Sequence, residues 1–194
     1  LSNNYSGNVG GGLRCYKGDV VLSGCDITDN TSYSTGGISC SYGDATLTEC
    51  LIAGNISTDG NSGGLGLGGG NHNVTLCSFV NNVAYSRGGG MSCSNNNAVL
   101  SDCIFINNST ISSGGGGIYC YQSNPSISNC EFEDNSAGYA GGAVYCRFSN
   151  PSIINCVIKH NSAVGIGGGI NCYSYPFANL VNTIVCGNEP DQIN

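Results

Sequence analysis

The feature that most constrains this chain is a repeat. Read in columns, the sequence aligns Cys15, Cys40, Leu67, Cys93, Cys120, Cys146 and Cys172, in steps of 25 to 27 residues. A second column holds Cys25, Cys50, Cys77, Cys103, Cys130, Cys156 and Thr183. Three positions before it run Leu22, Leu47, Val74, Leu100, Ile127, Ile153 and Leu180, and five positions after it run Asn30, Asn55, Asn82, Asn108, Asn135, Asn161 and Asn188. Self-similarity at such a period specifies a stacked array, in which each unit buries its apolar face only against its neighbours. Within a unit the apolar residues alternate, as in Ile118 and Cys120 or Cys130 and Phe132, so the local elements are short strands, and no window carries a helical stripe. The expected fold is all-β: a parallel β-helix of about seven rungs, with three short strands in each unit.

The spacings within the column block never change, whereas length varies after the Asn, as in "NISTDGNSGG" against "NSAGYAGG". Constant segments are packed rungs and the variable one is an exposed turn. An inward corner amide must find partners, so the Asn column is expected to stack its side chains along the axis, each bonding to the next rung. The paired motifs "FEDN" with "GGAV" and "FINN" with "GGGI" resemble the repeats of chlamydial polymorphic outer-membrane proteins, and also the pectate-lyase-like right-handed β-helices of bacterial surface proteins. The resemblance implies right-handed winding, secretion and adhesion. Residues 1–194 read as a single β-helix domain, and because Leu1 to Asn4 looks like the tail of a unit, the chain is expected to be a piece of a longer repeat protein. The localisation expected is extracellular or at the cell surface.

Composition excludes several functions. The net charge is −7, and the five cations, Arg14, Lys17, Arg87, Arg147 and Lys159, are dispersed along the sequence. Phosphate backbones need clustered Lys and Arg, so no nucleic-acid partner is expected, and an anionic membrane surface is disfavoured for the same reason. No apolar run of about 18 residues exists, so direct membrane insertion as a helix is not expected.

The 13 cysteines invite chemistry. Zinc sites want close ligand pairs with His or further Cys, whereas here the cysteines of one unit lie ten residues apart and only His72 and His160 are available. No metal or other cofactor is expected, and both His residues read as surface side chains. Disulfides compete with packing. Leu67 and Thr183 each replace one column member while the other member of the unit stays, and obligate bridges should be lost in pairs. The pattern favours reduced ladders of buried thiols over bridges. Cys186 falls outside both columns, at the outward position of Lys159 in the preceding unit.

Alternation sends the neighbours of the first Cys column outward, where Tyr16, Tyr119, Tyr121, Tyr145 and Tyr173 gather as a candidate ribbon for stacking on sugar rings. Tyr also simply suits exposed strands. Beside the second column Leu51, Val80, Ile104, Val157 and Ile184 form a candidate apolar face for another domain or chain. The acids sit on turns and strand edges: Asp19 with Asp44, Asp26 with Glu131, and Asp29 with Asp134. None is joined to a basic residue in the way a lyase requires, and no catalytic residue is assigned. The triplets at Asn30 and Asn55 match glycosylation acceptors, yet their Asn belongs to the inward column. The expected function is a non-enzymatic exported surface or filament module, an adhesin or spacer. Its candidate partners are glycans, or further copies meeting through open ends or the apolar face. The alternative is a carbohydrate-active β-helix enzyme.

Overall fold

The structure, a computed structural model, describes residues 1–174 and 178–194. The chain coils through four seven-stranded parallel sheets, and every strand but the two at the edges of each sheet pairs with its counterparts one turn earlier and one turn later. Sheet I contains Leu13–Tyr16, Ile38–Ser41, Leu65–Gly68, Met91–Ser94, Ile118–Tyr121, Val144–Arg147 and Ile170–Tyr173. Sheet II runs from Val20–Ser23 to Asn179–Val181, and sheet III from Asp26–Thr28 to Ile184–Cys186. Sheet IV is built of two-residue strands, from Tyr5–Ser6 to Ser162–Ala163. The fold is the expected parallel β-solenoid, with four strands per turn rather than three. The fourth escapes a sequence reading because two residues cannot display alternation, and the inward one is small: Ser32, Ser57 and Ala84 are buried here.

The corners explain the constant spacing. Single residues in the left-handed region turn the chain between sheets I and II (Lys17, φ 57°; Asn95, φ 55°), between II and III (Asp102, φ 55°; Asn129, φ 53°), and after III (Asp29, φ 55°; Asn107, φ 54°). Asn and Asp tolerate this conformation better than most residues, which is why the turns are rich in them. The glycine pair before sheet I answers a different need, close approach. A Cβ on Gly116 would lie 2.4 Å from the carbonyl oxygens of both Gly142 and Ser136. At the following position a Cβ on Gly117 would meet one such oxygen, that of Ala143 at 2.6 Å, and one turn carries Ala143 itself there.

The interior is a set of identical-residue stacks. Phe79, Phe105 and Phe132 lie ring on ring, with centroids 4.5 and 4.8 Å apart and planes nearly parallel. Each ring is in register with the next, and Ile52 and Ile158 continue the stack on either side.

The Asn column stacks as expected. Asn108 Oδ1 accepts both the backbone N–H of Asn82 (3.1 Å) and its Nδ2 (2.9 Å). Asn108 Nδ2 then donates to Asn135 Oδ1 at 3.0 Å and to the Phe79 carbonyl at 2.8 Å. Asn4 enters the ladder ahead of Asn30, and Gln192 Oε1 accepts from Asn188 at the far side, where an eighth column Asn would stand. Asn30 and Asn55 are fully buried in this ladder, so the glycosylation triplets are structural.

The thirteen cysteines are all free, and the two columns differ in kind. In the second, Cys50, Cys77, Cys103, Cys130 and Cys156 each direct the thiol to the carbonyl two residues back, at 3.2 to 3.3 Å. The sulfur also receives a backbone N–H from the turn before, as from Cys103 to Cys130 (3.4 Å) and from Cys130 to Cys156 (3.4 Å). Thr183 takes over both roles, accepting from Cys156 N–H at 3.3 Å and donating to the Val181 carbonyl at 3.0 Å. In the first column Cys40, Cys93, Cys120 and Cys146 are fully buried, and Leu67 stands among them as a packing residue.

Two expectations are corrected here. His72 is not a surface residue: it is 3% exposed and points into the coil on sheet II, where Ala45 leaves room for it. Val80 lies outside the apolar column, pairing instead with Ala53 and Ile106. The true column is Asp26, Leu51, Ser78, Ile104, Glu131, Val157 and Ile184, so polar residues interrupt the face. Cys186 is exposed and pairs with Lys159 as anticipated.

Candidate functional site

The outer face of sheet I carries two positions per turn. Before the Cys column stand Arg14, Ser39, Gly66, Ser92, Tyr119, Tyr145 and Asn171; after it stand Tyr16, Ser41, Gly68, Ser94, Tyr121, Arg147 and Tyr173. The second, third and fourth turns thus present only Ser and Gly, while the turns on both sides present large side chains. This size pattern cuts a groove. Its floor is a hollow of about 260 Å³ over Ser39, Ser41, Gly66, Gly68, Ser92 and Ser94, walled by Ser34, Thr35, Asn61 and Ser62 from the variable turns. Asn61 and Ser94 join it to a second hollow of about 250 Å³, bounded by Arg87, Tyr119, Tyr121 and Arg147. A third of about 210 Å³ opens from Ser94 toward Tyr42 and Asn95.

The tyrosine ribbon is broken up. Tyr16 and Tyr173 are 54% and 53% exposed, and Tyr121 is half-buried. Tyr119 and Tyr145 do face away from the coil, but they are only 3% and 8% exposed. The variable turns of these rungs fold back over sheet I, bridging Gly114 to Ala140 and Ala140 to Ile166, and Ala140 and Ile166 pack on the two rings. The rings touch each other at 5.6 Å, tilted by 55°. Alternation along a strand fixes which way a side chain points, not whether a distant loop covers it. The ribbon as a continuous exposed surface is therefore overturned, and what replaces it is the groove.

The cations were the signal that sequence reasoning missed. Dispersed in sequence, four of the five reach aromatic rings on the sheet I side. Arg14 and Lys17 approach the Tyr16 ring at 5.9 and 5.4 Å, Arg87 the Tyr119 ring at 5.3 Å, and Arg147 the rings of Phe148 (5.5 Å) and Tyr173 (5.8 Å). The column alignment sets Arg147 on sheet I one turn beyond Tyr121, whereas Arg87, in a variable turn, lies outside the columns. The fifth, Lys159, is elsewhere: it bridges Glu131 at 2.9 Å and Glu133 at 3.3 Å on the outside of sheet III.

The acids stay away from the groove. Asp19 and Asp44 each accept a backbone N–H from the next turn, that of Asp44 (2.8 Å) and that of Asn71 (2.7 Å), and so work as an outer ladder between sheets I and II. Asn97, Asn124 and Asn150 repeat the arrangement in later turns. Among the described residues, no group of three His, Cys, Asp or Glu is placed to hold a metal ion. The groove can offer hydroxyl and amide hydrogen bonds, aromatic faces and guanidinium groups.

A four-sided parallel solenoid with an internal amide ladder and a polar groove on one face defines the class of protein. The family described as right handed beta helix region matches residues 36–193, and the chain belongs to that family. No curated protein and no solved structure matched the chain individually.

Proposed function

We propose that this chain is a non-enzymatic, exported rod module, a spacer or adhesin of a cell surface or extracellular filament, that holds an extended saccharide along the groove of sheet I. The observation that carries the reading is the groove's lining: Ser, Gly, Asn, Thr, Tyr and Arg, with Val9 and Leu67 the apolar exceptions, open along the axis, with no carboxylate among them. Sugars are recognised through hydroxyl hydrogen bonds and ring stacking, which this lining supplies. Glycoside hydrolysis asks for a pair of carboxyl groups flanking the bond, and the lining contains none.

Ser94 borders all three hollows and points away from the core, so Ser94→Trp fills the groove without touching the ladders. On a glycan array the wild-type chain is expected to retain a subset of extended glycans and the variant to lose them, with thermal unfolding unchanged. Equal retention by the two proteins, or shortened products released from the bound glycan, would overturn the reading. Export is checked separately, by protease accessibility on intact cells.

A further inference from the structure

We propose that Arg87 and Arg147, placed about Tyr119, form a subsite for an acidic group, carboxylate or sulfate, on a saccharide whose neighbouring residues are neutral. This rests on the groove reading above and specifies its ligand. In a chain of net charge −7 with five cations, two guanidiniums border one hollow of about 250 Å³. Neither has a carboxylate partner: the ion pairs among the described residues belong to Lys159 and His160. Arg147 Nε is fully buried and has no hydrogen-bond partner. A buried donor on a charged group is costly to leave unpaired, so this guanidinium is under-compensated, and an oxyanion in the hollow would supply the missing counter-charge.

Tyr119 adds a polar tip between the two cations. Its phenol is held protonated, since burial raises its pKa above the ordinary value although Arg87 and Arg147 pull the other way. Arg87 covers the ring face, which holds its planar fork in place, and such forks suit oxyanions.

The sparseness of charge decides the ligand's pattern. The adjoining hollow over Ser39, Gly66 and Ser92 is lined by no cation at all, so the groove offers one charged station beside a neutral one. A uniform polyanion would leave charges facing neutral hydroxyls there. An alternating polymer, one acidic residue beside neutral sugars, matches both stations.

The test is calorimetric titration of the whole chain with three oligosaccharides of one length. The first alternates a uronic acid with a neutral amino sugar, the second is its carboxyl-reduced counterpart, and the third is that counterpart bearing sulfate. Wild type is expected to bind an acidic member about tenfold more tightly than the neutral one. High salt should erase the difference. Arg87→Gln and Arg147→Gln should each bring the acidic members down to the affinity that the same variant shows for the neutral one. Circular dichroism checks that both variants are folded, and Arg87→Lys, keeping charge without the fork, should recover part of the preference. Which acidic member wins distinguishes a planar from a tetrahedral anion. The proposal is overturned if wild type binds neutral and acidic members equally, or if both Gln variants keep the preference. Binding that is equal for all three members and lost in Ser94→Trp leaves the groove reading standing alone. Absence of binding to every member sinks both.

Discussion

At the scale of single residues, two columns of the same amino acid do different physical work. The second Cys column behaves as a sulfur version of the Asn ladder, donating to a carbonyl and accepting an N–H, so its natural substitute is the hydroxyl of Thr183. The first is a packing column whose natural substitute is Leu67. There, burial raises the thiol of Cys40 to about 11 and that of Cys93 well above its ordinary value. The two columns should therefore answer one substitution differently. Cys130→Thr keeps an acceptor for the Cys103 N–H and is expected to cost under about 1 kcal/mol, whereas Cys120→Thr places a hydroxyl between Cys93 and Cys146 and is expected to cost about 1–3 kcal/mol. Urea denaturation of the two variants under reducing conditions measures the contrast. His72 supplies a pH dependence. Its Nδ1 accepts the Ala45 N–H at 3.2 Å while Nε2 faces the Gly69 carbonyl, an arrangement that needs the neutral ring protonated on Nε2. Burial lowers its pKa, against a smaller upward pull from the Gly69 carbonyl and Asp44. The unfolded chain thus binds the proton more readily than the folded one. The stability associated with the neutral ring is complete above the unfolded value of about 6.5 and is lost as pH falls below it toward the folded pKa. Denaturation midpoints followed from neutral pH to about pH 5 should fall more steeply for wild type than for His72→Ala, which is less stable throughout but flatter.

At the scale of the elements, what the sequence made legible was whatever repeats. Strand positions, inward columns and the Asn ladder follow from residues that recur at fixed spacing, and each recurrence reports one contact with the turn above and below. The fourth sheet was hidden because its strands have two residues, and the burial of Tyr119 and Tyr145 was hidden because the covering loop is the part that does not repeat. The groove was illegible for a related reason: it exists where Ser and Gly stand in sheet I positions held elsewhere by Tyr and Arg, so it is a departure from the pattern. The glycine pair offers a direct check on how close the turns come. Gly116→Ala would set a methyl group against the carbonyls of Gly142 and Ser136, both belonging to fixed backbone. It is expected to destabilise by about 3 kcal/mol or more through displacement of the next turn. Gly117→Ala, at the position that Ala143 occupies one turn later, would still set its methyl group 2.6 Å from the Ala143 carbonyl oxygen, but against one carbonyl rather than two, and should cost about 1–3 kcal/mol, less than Gly116→Ala, by the same thermal melts.

At the scale of the whole molecule, stability is distributed along an axis, with each turn resting only on its neighbours. Contacts between residues distant in sequence are therefore one turn apart, and the groove spans several turns without any loop having to close around it. This gives a rigid floor whose length is set by the number of turns with small sheet I residues. The unbroken register has a genetic corollary. Because Ile104 pairs with Glu131 and Phe105 with Phe132, deleting residues 104–130 joins Cys103 to Glu131 at the place that Ile104 held. Asn82 would then meet Asn135, and the ladder would close over the cut. Such a shortened chain should fold, with an axis shorter by about 4.8 Å in small-angle scattering, while loss of any single residue between Cys103 and Asn108 should not be tolerated. The tolerated step of insertion or deletion is a whole turn, and a gene of this kind works as a ruler whose graduations are its own repeats.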